Sequence, residues 1–138
     1  MPPFQTQRRV EFCDTDMAGI VHFSNFFRYM ESAEVSFLQS LGISVRFEWE
    51  SEMLGFPRVS ATCDYLSPAR FEDILAIAVT IDNIGRKSVA YTFDFSKDDK
   101  PVARGKMTCV CCKINEGHGL VGIEIPESLR NILESARD

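Results

Sequence analysis

The sequence predicts an α+β domain in which an antiparallel sheet curls around one long helix. Residues 24–41 are the first observation, because their apolar positions recur at three- and four-residue steps, as in a helix with one buried face. The second is the alternation of apolar and polar residues after Pro57, which is typical of half-buried strands. A helix with one apolar stripe must bury it against another layer, and successive antiparallel strands provide that layer.

The long helix has signals at both ends. Ser24 or Asn25 can cap the exposed amides at its start, and Gly42 suits the left-handed conformation just past its end. The stripe that faces the sheet is expected to consist of Phe23, Phe26, Phe27, Met30, Ala33, Phe37, Leu38 and Leu41.

The other elements follow in order along the chain. A first strand is predicted at residues 7–13, and an acidic turn with Asp14 and Asp16 follows it. Residues 43–56 remain open between a short helix and a covering loop. Four strands are predicted at 58–66, 73–83, 88–96 and 102–114, and a short helix starts near Pro126. The edge strands stay exposed, so we expect a homodimer or homotetramer.

Composition limits the possible functions. A chain of 138 residues with 45% hydrophobic and 25% charged residues predicts one globular domain over residues 1–138. The formal net charge of −5 argues against a nucleic-acid binder, which needs cations for phosphates. No apolar run suits a membrane span or a signal peptide, so no membrane partner and a cytoplasmic location are expected. The five cysteines lack the paired Cys-x-x-Cys spacing of zinc sites, so we expect no metal and no cofactor.

The first turn has the composition of an acyl-transfer site. A carboxylate in a turn is usually structural, and that alternative stays open for both Asp14 and Asp16. Free amides at the start of a long helix, however, can stabilise an oxyanion beside a carboxylate. No Gly-x-Ser-x-Gly elbow or local triad spacing is present to suggest another nucleophile.

The stretch Glu11-Phe-x-Asp-x-Asp-x-Ala-Gly-Ile-Val-x-Phe-x-Asn25 resembles the active-site signature of the 4-hydroxybenzoyl-CoA thioesterase family of hotdog-fold proteins. A looser likeness covers nearly the whole chain. It includes Arg28, Pro57-x-Val-Ser60, Phe71-Glu-Asp-Ile-Leu75, Arg86-Lys-Ser88 and Ile123-Glu-Ile-Pro126. The resemblance implies the hotdog fold, a sheet wrapped around one helix.

The resemblance also implies hydrolysis of an acyl-CoA to free acid and CoA. Asp16 would be the catalytic carboxylate, either attacking as nucleophile or activating water. The backbone amide of Phe23 would bind the thioester oxygen. Gly19, His22 and Glu31 would contact substrate, although a turn glycine, a packed ring and a solvated helix glutamate are equally open roles for them.

The family pattern places CoA phosphates on a basic turn, here Arg86 and Lys87, with Arg104 as a further candidate. Related thioesterases associated with the Tol-Pal system carry tyrosine and histidine where this chain has Phe12 and Phe23. The resemblance therefore favours the aromatic acyl-CoA branch.

Two alternatives to a thioesterase remain open at this stage. One is a non-catalytic module of the same fold that binds acyl thioesters. The other is a hotdog dehydratase, which typically pairs a histidine with a carboxylate, and His22 is the one histidine near the motif.

Overall fold

The computed structural model describes residues 3–117 and 119–137, which form two antiparallel sheets and two α-helices. A 3-10 turn at Phe12–Asp14 follows the first strand. In chain order the elements are β1 (Phe4–Arg9), α1 (Asn25–Ser40), β2 (Arg46–Trp49), β3 (Glu52–Gly55), β4 (Arg58–Tyr65), β5 (Ile74–Ile84), β6 (Ser88–Lys97), β7 (Lys100–Val110), β8 (Cys112–Asn115), β9 (Gly119–Gly122) and α2 (Glu127–Arg137).

The larger sheet has the strand order β1-β5-β6-β7-β4, and α1 packs against it, with Phe26 on Phe95 and Phe37 on Tyr91 of the central strand β6. The apolar stripe of α1 is buried, with Tyr29, Met30 and Ala33 fully excluded from solvent. Alternate residues of the sheet face it, among them Leu75 and Phe93, which are also fully buried. The predicted α+β architecture, an antiparallel sheet around one long helix, is therefore confirmed.

A glycine in β7 lies where α1 approaches the sheet closely. A Cβ placed on Gly105 would lie 2.5 Å from the sulfur of Met30, closer than any real contact. Met30 is fully buried, so its side chain would have to shift within a packed core to make room. Gly105 thus allows the helix to lie directly on the middle of the sheet.

The helix ends agree with the sequence in position but not in every detail. Gly42 has a φ of +80° just past the end of α1, as predicted. Ser24 occupies the N-cap position, yet its side chain makes no capping hydrogen bond. The side chain of Asn25 donates instead to the carbonyl of Asp14, 2.8 Å away. The prediction of a side-chain cap was therefore wrong, because both side chains have other partners.

A second sheet, β2-β3-β8-β9, was missed at the sequence level. Residues 43–56 contain the β2–β3 hairpin rather than a short helix or a covering loop. The single strand expected over residues 102–114 is also wrong, because the chain leaves the larger sheet at Cys111. Its amide donates to the carbonyl of Lys87, and β8 then pairs with β3 and β9.

None of the helices among the described residues combines the length and apolar character needed to span a membrane.

Candidate active site

The two carboxylates of the first turn have different environments. Asp14 is buried, and its Oδ2 accepts hydrogen bonds from the Tyr29 hydroxyl at 2.8 Å and the Glu11 amide at 2.9 Å. Its carbonyl accepts a further hydrogen bond from the His22 amide at 2.9 Å. Burial, followed by the hydrogen bond to Asp14, raises the pKa of Tyr29 well above its ordinary value. Asp14 therefore ties the turn to α1 and has the structural role that the sequence left open.

Asp16 is half-buried and lies in a tight turn that ends at Gly19. Its Oδ1 accepts a hydrogen bond from the Ala18 amide at 2.9 Å, whereas Oδ2 has no hydrogen-bond partner among residues 3–117 and 119–137. Gly19 closes the turn with a φ of +78°, and its amide donates to the Asp16 carbonyl at 2.9 Å. Gly19 thus shapes the turn, and one carboxylate oxygen of Asp16 stays free for another group.

Asp16 lines an open cavity of about 440 Å³ at the start of α1. Phe23, Phe26 and Tyr65 form aromatic walls, and Ile20, Val21 and residues 66–69 complete the lining. The ring of Phe26 makes edge-to-face contact with that of Tyr65, with centroids 5.4 Å apart. One carboxylate therefore faces a mainly apolar and aromatic space.

Among the backbone amides just before α1, that of Phe23 differs from its neighbours in its hydrogen bonding. The amide of Val21 donates to Ala69, that of His22 to Asp14, and that of Ser24 reaches the His22 Nδ1 at 3.3 Å. Within the described part of the chain, the Phe23 amide has no acceptor. It belongs to a residue that lines the same cavity as Asp16, so both residues that were predicted to be catalytic lie at one cavity.

Tyr65, at the end of β4, is a site residue that sequence reasoning missed. Its hydroxyl donates to the Phe23 carbonyl at 3.0 Å and so fixes the turn that carries the free amide. The two residues are 42 positions apart. No local spacing could have connected them, since the contact exists only once β4 lies beside α1.

His22 and Glu31 do not line this cavity. The ring of His22 stacks on that of Phe23 at 4.7 Å, and its Nδ1 is 2.8 Å from the Ser24 hydroxyl. Glu31 is exposed on α1, with a carboxylate oxygen 3.9 Å from a guanidinium nitrogen of Arg58. Their predicted substrate contacts stay predictions, because in a single chain both side chains have other neighbours.

The predicted CoA-binding residues also lie away from Asp16. Arg86 and Lys87 form the β5–β6 turn, whereas the cavity adjoins the other end of β6, about 20 Å along the strand. Arg86 pairs with Glu124 at 3.1 Å. Arg104 pairs with Asp94 at 3.1 Å. The structure of one chain does not unite these cations with the catalytic turn.

In the described ranges, no group of histidine, cysteine and acidic side chains is arranged to hold a metal ion. The five cysteines are free thiols. Burial, together with the neighbouring Glu34 carboxylate, raises the pKa of Cys109 far above its ordinary value. That thiol donates to Glu34 inside the core, so it is a poor nucleophile.

A sheet wrapped around one long helix, with a carboxylate in the turn before that helix, defines the hotdog class of proteins that act on thioesters. Comparison with known proteins agrees with this class. The chain belongs to the thioesterase-like superfamily, whose family model matches residues 10–133. The family and the enzyme class that the motif predicted, thioester hydrolases of the hotdog fold, are thereby confirmed.

Three relatives show how far the similarity extends. The 4-hydroxybenzoyl-CoA thioesterase of Pseudomonas sp. is 31% identical over 130 residues, which cover 87% of this chain and 89% of the relative. A crystal structure of a 1,4-dihydroxy-2-naphthoyl-CoA thioesterase from Synechocystis has a TM-score of 0.76 and 25% identity, covering 97% of this chain and 94% of its own. The structure of a gentisyl-coenzyme A thioesterase has a TM-score of 0.78 and 30% identity, covering 94% and 98%.

Proposed function

We propose that this protein hydrolyses an aromatic acyl-CoA to the free acid and CoA, with Asp16 as the catalytic carboxylate. One observation carries the proposal: Asp16, with a free Oδ2, and Phe23, with a free backbone amide, line the same cavity. A carboxylate beside a preorganised amide is the minimal equipment for acyl transfer without serine, histidine or metal.

The aromatic walls of the cavity support an aromatic acyl group. Phe23, Phe26 and Tyr65 present rings that can pack edge-to-face or offset against a substrate ring. Three relatives are named as thioesterases of 4-hydroxybenzoyl-CoA, 1,4-dihydroxy-2-naphthoyl-CoA and gentisyl-coenzyme A. The acyl group in each of these names is aromatic. These three thioesters are therefore the first substrates to test.

The Phe23 amide would donate to the thioester oxygen as negative charge develops there, aided by the positive end of the α1 dipole. Asp16 can then act in either of two ways, as a nucleophile or as a general base. It can attack the carbonyl carbon and expel CoA thiolate, leaving a mixed anhydride that water cleaves. It can instead take a proton from a water molecule that attacks the same carbon. In both routes the products are one acid and one thiol.

The assignment predicts that Asp16→Asn lowers kcat about 100-fold or more, because the amide neither attacks nor accepts a proton efficiently. The measurement is thiol release from the three aromatic thioesters and from an aliphatic acyl-CoA. Glu48→Gln, which removes one carboxylate charge from exposed β2, is the matched control and should keep full activity. Wild-type turnover by Asp16→Asn, in a protein with an unchanged unfolding midpoint, would contradict the role given to Asp16.

We also propose a homodimer or homotetramer as the working form, in which β4 supplies the joining edge. Among the described strands, β4 pairs only with β7, and it ends at Tyr65 beside the cavity. The cytoplasm remains the proposed compartment, and the five free thiols suit its reducing conditions.

A further inference from the structure

The main-chain carbonyl of Asp14 joins the catalytic turn to the start of α1. The backbone amide of His22 donates to this carbonyl at 2.9 Å, and the side-chain amide of Asn25 donates to it at 2.8 Å. The backbone amide of Asn25 donates in turn to the carbonyl of His22 at 2.9 Å. Asp14, His22 and Asn25 thus form a closed triangle of three hydrogen bonds, in which each residue is bonded to the other two.

The amide of Phe23, the proposed oxyanion donor, lies within this hydrogen-bond triangle. The Phe23 N–H and the His22 carbonyl belong to one planar peptide group, so a bond that fixes the carbonyl also sets the direction of the N–H. Asn25 supplies that bond through its backbone amide. Its side chain in turn anchors Asn25 to Asp14. The direction in which the Phe23 amide points therefore depends on where Asn25 is held.

The same Asp14 carbonyl is tied to the segment that carries the Asp16 carboxylate. Thr15 is bridged to Val21, and the Asp16 amide donates to the carbonyl of Ile20 at 2.9 Å. These contacts hold residues 14–16 and 20–22 side by side as a narrow loop. The hydrogen bond from the Asn25 side chain attaches this loop to the first turn of α1. It is therefore a link between the two predicted catalytic groups.

We propose that Asn25 is a positioning residue, whose side-chain amide holds the Phe23 amide in line with the Asp16 carboxylate. The inference rests on the proposed function and deepens it. Asn25 is half-buried and is not among the residues that line the Asp16 cavity, so it acts through Asp14 and His22 and not on the substrate. This role differs from that of a helix cap, because the side chain bonds a carbonyl of the turn instead of an amide of α1.

Misalignment of the Phe23 amide should lower kcat and leave KM nearly constant. A hydrogen bond weakens steeply when its angle at the hydrogen falls below about 120°. The bond to the thioester oxygen matters most in the transition state, where negative charge develops. Binding of the acyl group instead depends on the aromatic walls of the cavity. A less firmly held Asn25 would thus slow the chemical step without weakening substrate binding.

The test compares Asn25→Leu and Asn25→Asp, which both remove the donor, with Ser40→Ala. The side chain of Ser40 donates to the carbonyl of Phe37 at the other end of α1, so its removal is the matched control. We expect both Asn25 variants to lower kcat for the aromatic thioesters about tenfold, with KM changed less than twofold, and Ser40→Ala to keep the wild-type values. Asn25→Asp should nevertheless unfold at a higher temperature than Asn25→Leu, because it adds an acidic residue to the first turn of α1, which has none.

A second measurement does not depend on turnover. The His22 amide shares the Asp14 carbonyl with the Asn25 side chain. Its hydrogen exchange, followed by NMR, should therefore become about tenfold faster in both Asn25 variants and stay unchanged in Ser40→Ala. If the wild-type protein hydrolyses no thioester, the proposed function fails, and this comparison still decides whether Asn25 holds the turn.

Four results would overturn the positioning role. They are a wild-type kcat in Asn25→Leu, a kcat that follows the unfolding temperature across the three variants, a rise in KM at constant kcat, and exchange of the His22 amide at the wild-type rate in both Asn25 variants. The second result would reduce Asn25 to a contributor to stability, and the third would place it in contact with the substrate.

Discussion

At the scale of single residues, burial separates two carboxylates that look equivalent in the sequence. Asp14 is 8% exposed, and its Oδ2 accepts hydrogen bonds from a buried tyrosine and a backbone amide. Asp16 keeps one oxygen free at the wall of a cavity. One carboxylate therefore stabilises the turn, and the other is available for chemistry.

These different environments predict that removing the two carboxylates lowers the free energy of unfolding by different amounts. Asp14→Ala should lower the free energy of unfolding by about 2 kcal/mol, because it leaves the fully buried Tyr29 hydroxyl without an acceptor. Asp16→Ala should lower it by less than about 0.5 kcal/mol, since only one surface turn bond is lost. Urea unfolding of both variants measures the difference. Equal losses would show that Asp14 has no special structural role.

At the scale of elements, β4 holds the start of α1 in place. The Tyr65 hydroxyl donates to the Phe23 carbonyl, and the ring also lines the cavity. We expect Tyr65→Phe to lower kcat about fivefold and to change KM less than twofold, because the lost bond, worth about 1 kcal/mol, orients the amide rather than binding substrate.

Tyr91→Phe is the matched control for this change, because Tyr91 packs against Phe37 outside the cavity. Its kcat should equal that of the wild-type protein. A rise in KM with constant kcat for Tyr65→Phe would mean that the hydroxyl binds substrate directly and does not position the turn.

The elements that could be predicted are those whose pattern is long and local. The periodicity of α1 and the alternation in β5 and β6 specify helix and strands without reference to the rest of the chain. The β2–β3 hairpin was not predicted, because its strands have only four residues each. Its turn also has Glu50 and Ser51 at positive φ, where a sequence pattern would lead one to expect glycine. The break at Cys111, between β7 and β8, likewise has no glycine or proline to mark it.

The same difference between local patterns and long-range contacts applies to the candidate active site. Asp16 and Phe23 lie seven residues apart in one motif, so the sequence could nominate both. Tyr65 reaches Phe23 from another strand, 42 positions away in the sequence. Contacts of this kind depend on which strands are neighbours, and a single sequence without an alignment carries no local sign of that.

At the scale of the whole molecule, β4 is an open edge of the larger sheet. Within residues 3–117 and 119–137 its one partner strand is β7, and most of its residues are exposed, including Val59 at its bulge with 63% exposure. Such an edge offers unpaired backbone groups to a second strand. Two copies that meet along β4 would satisfy both edges by two-fold symmetry and would bring the Tyr65 ends of the cavities to the interface.

This arrangement predicts that charge on the β4 edge separates the copies. Ser60→Lys/Thr62→Lys places two cations on each exposed edge, where they would face those of the partner, so light scattering after gel filtration should report a monomer. Gln5→Lys/Gln7→Lys puts the same charges on exposed positions of β1, the other edge of the sheet, and should keep the wild-type mass. A monomeric wild-type protein, or dissociation caused only by the β1 variant, would contradict assembly through β4. The wild-type mass itself distinguishes a dimer from a tetramer.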